Sequence, residues 1–115
     1  MKPIGGYFSL ELPWYEEYHK DALRLNTGRN CLEYILRVRK YKKVYIPYYS
    51  CDVILEPFQK LDITYEYYHI NIHLELANDI QLQTGEALLY INYYGLKERY
   101  SEKLAQLYGR NLIVD

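Results

Sequence analysis

Four short runs rich in β-branched and aromatic residues, "KVYIPYY", "ITYEYYHI", "ALLYINYY" and "NLIVD", recur along the chain, and most of the segments between them switch to helical spacing. Runs of this kind read as strands, and Pro47 closes the first because it lacks the N–H that a ladder needs. The segment 28–40 sets Cys31, Leu32, Ile35, Leu36 and Val38 on one side, with Arg37, Arg39 and Lys40 at its end, where the helix dipole favours cations. "SCDVILEPFQKL" is apolar at Val53, Ile54, Phe58 and Leu61, with Ser50 able to cap and Pro57 expected to kink or shorten the helix. "LKERYSEKLAQLYG" repeats Leu96, Tyr100, Leu104, Leu107 and Tyr108 before stopping at Gly109, and Pro13 opens a further helix over 14–22. The order helix, helix, strand, helix, strand, strand, helix, strand predicts an α/β fold of three layers, a mostly parallel sheet with flanking helices, in one domain over 1–115. In such sheets ligands gather beyond the carboxyl ends of the strands, which here are 47–51, 92–95 and Asp115.

Composition excludes several functions. Fourteen basic residues against fifteen acidic ones give a formal charge of −1, too balanced to gather nucleic acid or anionic lipid. No stretch approaches the roughly 20 apolar residues of a membrane span, and the amino terminus lacks the apolar core of a signal peptide, so a soluble cytoplasmic protein is expected. Cys31 and Cys51 fall on different elements without a CxxC spacing, which makes reduced, partly buried thiols the expectation. His19, His69 and His73 share no metal-ligand spacing. Sixteen tyrosines against two phenylalanines are the outlier. Tyrosine surplus of this kind is a common product of codon bias, and buried hydroxyls still require partners.

The stretch "LRLNTGRNCLEYIL" admits two readings. In one, Thr27 is an N-cap, Gly28 a tight turn and Arg29 a solvated charge. In the other, the unpaired N–H groups of a helix start, a hydroxyl and a guanidinium converge on an anion. Together with "VYIPYYSCDVILEPFQKLDITYEYYHIN", "LLYINYYGLKERYSEKLAQLYG" and "NLIVD", it resembles the sugar aminotransferases of the DegT/DnrJ/EryC1/StrS type, pyridoxal-phosphate enzymes of fold type I, from about Leu23 to Asp115. The resemblance implies that this chain is the N-terminal part of the family's large domain.

It further implies that Thr27, Gly28 and Arg29 form the cup for the phosphate of pyridoxal phosphate. Asp115 would pair with the pyridine nitrogen, and Asn92 would stand near the cofactor at a strand end. Cys51 occupies the position where relatives stack an aromatic ring, leaving Tyr49 to supply one. The family's Schiff-base lysine lies downstream of the matched residues and none of the present lysines corresponds to it, so transamination by this chain alone is not expected. An amino donor, a sugar substrate and a homo-oligomer with a cofactor site near the dimer interface are implied for the full-length family. The strand around 88–93 is expected to offer an unpaired edge for that assembly. The competing expectation is a non-catalytic α/β module that binds an anion or a partner protein.

Overall fold

The computed structural model describes Glu16 and residues 19–115. Of the helix expected over 14–22, residues 19–22 form a turn in which the Ala22 N–H donates to the His19 carbonyl at 3.0 Å, and, Glu16 apart, the rest lies outside the described residues. Helix α1 (Gly28–Arg39) starts where Thr27 adopts extended backbone and its hydroxyl oxygen accepts from the Asn30 N–H at 3.1 Å, satisfying one orphan donor of the first turn. It ends with Arg37 and Arg39 in the last turn and Lys40 in the left-handed region, φ 54°. Strands β1 (Lys43–Pro47), β2 (Thr64–Tyr68), β3 (Glu86–Tyr90) and β4 (Leu112–Val114) form an all-parallel sheet in the order β2-β1-β3-β4. Lys43 lies opposite both Thr64 and Glu86, and Leu88 lies opposite Leu112.

The period-2 pleat divides the core between two faces. Val44, Ile46, Ala87, Leu89 and Ile113 pack against Leu32 and Leu36 of α1 and Phe58 of α2 (Glu56–Leu61). Tyr90 and the half-buried Leu112 turn the other way, onto Tyr93 and Leu104, the latter on α3 (Glu98–Tyr108). Two faces covered by different elements give the three layers. Pro57 shortens its helix as expected: without an N–H it cannot continue the i→i−4 pattern backwards, and a 3₁₀ turn (Asp52–Leu55) precedes α2. Ser50 does not cap that turn; its hydroxyl donates to the Pro47 carbonyl at 2.9 Å.

Strand β3 is shorter than "ALLYINYY" suggests, because a 3₁₀ turn (Tyr93–Gly95) follows, with Tyr94 and Gly95 at φ 57° and 69°. Its edge is also not open. β3 is paired with β1 on one side and β4 on the other, so the unpaired edges among the described strands are those of β2 and β4. The connection from β2 to β3 contains no helix; residues 69–85 run over the α3 face, held by an antiparallel bridge between Ile70 and Leu76. No helix among the described residues is long and apolar enough to cross a membrane.

Candidate functional site

At the carboxyl edge of the sheet, on the α1 side, a cavity of about 350 Å³ opens between the start of α1, the 50–54 segment and the ends of β3 and β4. Helical spacing puts Gly28, Cys31, Leu32 and Ile35 on one side of α1, and all four line it. Ile54, Leu89, Ile91 and Ile113 supply an apolar floor, and Arg29, Cys51 and Asp115 supply polar groups. The volume falls within the range of small-molecule pockets, and the lining has their usual chemistry, an apolar body with few polar groups.

Four of the six residues marked in the sequence, Gly28, Arg29, Cys51 and Asp115, therefore meet at one cavity although three separate segments carry them. A Cβ added at Gly28 would lie 3.9 Å from Asp115 Oδ1, so the carboxylate stands beside the first residue of α1. Thr27 stands next to the cavity as the N-cap and does not line it. Asn92 is engaged elsewhere: its Oδ1 accepts from the Lys97 N–H at 2.8 Å, and its backbone N–H donates to the Asp115 carbonyl at 2.8 Å. The side chain thus fastens the turn that leads into α3, the strand-end role.

The electrostatics at the cavity mouth differ from a plain cationic cup. The Arg29 guanidinium forms an ion pair with Glu56 at the start of α2, which no local pattern in the sequence announces. The N–H groups of Gly28 and Arg29 have no hydrogen-bond partner, as expected of a helix first turn. Among the described residues the Asp115 carboxylate likewise has neither a hydrogen bond nor an ion pair. Cys31 and Cys51 are both free, Cys51 exposed, and sequence spacing gave no sign that they share a cavity. Tyr49 does not reach the cavity; its ring stacks on Tyr93 at 5.5 Å, and its carbonyl accepts from the Tyr93 hydroxyl at 2.9 Å. Burial, reinforced by the Tyr49 and Tyr94 hydroxyls, pushes the Tyr93 hydroxyl up to about 12, which keeps it a donor at neutral pH. Among the described residues no cluster of three or more His, Cys, Asp or Glu side chains could hold a metal ion.

The residues present do not fit pyridoxal phosphate held and used as a cofactor. The free N–H groups at the α1 start suit a phosphate, but the one guanidinium there is paired with Glu56 and a second carboxylate, Asp115, stands beside Gly28. Neither a lysine nor an aromatic ring is among the described residues that line the cavity. No family model matches the chain, and the searches of curated proteins and of solved structures found no match. What the cavity offers chemically is binding: an apolar chamber with a carboxylate, a compensated ion pair and two thiols at its walls.

Proposed function

We propose that this chain is a portion of an aminotransferase-like α/β domain of the sugar-modifying type, and that alone it acts as a ligand-binding unit without transaminating. The observation that supports the reading is the convergence at one cavity of Gly28, Arg29, Cys51 and Asp115, the segments that carry the resemblance. Catalysis by these residues is not part of the reading, because reactivity of an amine follows from its placement and no lysine is among the described residues that line the cavity. Mixing the protein with pyridoxal phosphate and reducing with borohydride tests it. No stoichiometric adduct at a single lysine is expected. A single trapped lysine together with amine-transfer turnover would sink the non-catalytic half of the proposal.

The alternative reading, a non-catalytic α/β module derived from such a fold that binds an anion or a partner protein, is favoured in its protein-binding form by the Arg29 and Glu56 ion pair, which turns the expected phosphate ligand into a strut between α1 and α2. Titration with inorganic phosphate separates the two. Under the first reading the amides of 27–30 shift with phosphate and Glu56→Gln tightens binding by releasing Arg29; under the protein-binding form of the second, neither occurs.

A further inference from the structure

We infer that the cavity is a binding site for a small amphipathic amine, whose apolar body fills the chamber and whose ammonium group meets Asp115. The body of such a ligand would lie on Leu32, Ile35, Ile54, Leu89 and Ile113, which leave about 350 Å³ free. The sign of the polar end follows from adding the charges at the mouth. Arg29 and Glu56 cancel as an ion pair, and Asp115 then contributes an uncompensated negative charge. Against it stands the α1 start, equivalent to roughly half a positive charge, and Asp115 Oδ1 already lies 3.9 Å from the Cβ position of Gly28, where it faces that half-charge itself. The balance is negative, so an entering anion would be repelled by Asp115 while an ammonium group would gain a partner. An apolar chamber also rejects a doubly charged phosphate ester more strongly than a monocation on an apolar stem, because the former has more hydration to lose. Cys51, exposed on the same wall, serves as a reporter, since a seated ligand covers its thiol.

The proposal concerns the same cavity as the family reading above and predicts the opposite response to an anion: phosphate shifting the amides of 27–30 supports that reading and counts against this one. Three probes of one shape decide it: benzylammonium, benzyl alcohol and benzoate, each titrated into the whole chain while backbone amides are followed by NMR. Benzylammonium is expected to bind most tightly, shifting amides of 28–35 and 113–115, benzyl alcohol more weakly and benzoate least. Asp115→Asn should reduce benzylammonium affinity roughly fivefold, the upper range for an exposed ion pair, to the level of benzyl alcohol, whose own affinity stays unchanged. Benzylammonium should also slow alkylation of Cys51 by iodoacetamide. Benzoate binding as tightly as benzylammonium, an unaltered affinity in Asp115→Asn, or no shift at the cavity with any probe would each overturn the inference.

Discussion

The two faces of the sheet are closed by different chemistry. On the α1 side the layer is mostly aliphatic: Val44, Ile46, Ala87, Leu89 and Ile113 meet Leu32, Leu36, Tyr41 and Phe58, and this side contains the apolar cavity. On the α3 side tyrosines share the layer with aliphatics such as Leu104 and Leu112, and their hydroxyls tie down the irregular 69–85 segment. Tyr90 donates to the Leu74 carbonyl at 2.7 Å and Tyr108 to that of Ile80 at 2.8 Å, while the Tyr100 oxygen accepts from the Leu76 N–H at 3.2 Å. Lys97 Nζ adds an ion pair to Glu75 at 2.6 Å. Long loops leave backbone groups that need partners, and a tyrosine ring buries apolar area while its hydroxyl supplies one. The comparison teaches that polar chemistry on the α3 side is structural, and that the groups left free for a ligand are on the α1 side.

The largest effect that would sharpen this contrast is on the aliphatic face. Phe58 is fully buried, and Phe58→Ala should cost about 3–5 kcal/mol of unfolding free energy in urea titration. On the tyrosine face a deletion of one oxygen should be smaller and more local. Tyr90→Phe keeps the ring and leaves the Leu74 carbonyl without its donor, at a cost of about 1–2 kcal/mol. Amide exchange should quicken in 69–85 and not in α1; equal quickening on both sides would break the comparison. Thr27→Ala, which removes the N-cap of α1, should cost about 1 kcal/mol and loosen only the first turn of that helix.

Alkaline pH acts mainly through the α3 face, although burial also raises Tyr41 on the α1 side. Burial, ahead of neighbouring hydroxyls for Tyr68 and Tyr90 and of nearby carboxylates for Tyr100 and Tyr108, holds all four above the ordinary value of 10.0. The folded protein keeps these protons more tightly than the unfolded chain, so the stability they contribute is fully present below about pH 10 and is lost as pH rises through the raised values. Urea midpoints should be flat from neutral pH to about 9.5 and fall above 10, with a shallower fall in the protein carrying Tyr90→Phe.

The strands and α1 were readable because their periods are local properties of the sequence: β-branched and aromatic runs bounded by Pro47 and Asp115, and apolar residues of α1 at helical spacing ending in Arg37 and Arg39. The meeting of Cys51 and Asp115 followed from the rule that ligands gather at strand carboxyl ends, which also selected 92–95, residues that do not line the cavity. What escaped is long-range. Glu56 reaches Arg29 across 27 positions, and Cys31 and Cys51 share a wall without any diagnostic spacing. The tyrosine surplus, read from composition as codon bias, has a structural use: the hydroxyls of Tyr41, Tyr68, Tyr90, Tyr93 and Tyr108 each donate to a backbone carbonyl distant in sequence. Which strand owned the open edge depended on the order β2-β1-β3-β4, which periodicity does not encode.

The division of labour between the faces is tested most directly by comparing Tyr90→Phe and Asp115→Asn in one pair of measurements, urea unfolding and benzylammonium titration. Tyr90→Phe should lose about 1–2 kcal/mol of stability with benzylammonium affinity unchanged, because its hydroxyl serves the α3 side. Asp115→Asn should lose only the carboxylate's interaction with the α1 start, about 0.3–1 kcal/mol, and roughly fivefold in affinity, because among the described residues its carboxylate has no hydrogen bond or ion pair. Loss of affinity in Tyr90→Phe equal to that in Asp115→Asn, or unfolding of Asp115→Asn at a lower urea concentration with its affinity intact, would contradict the account.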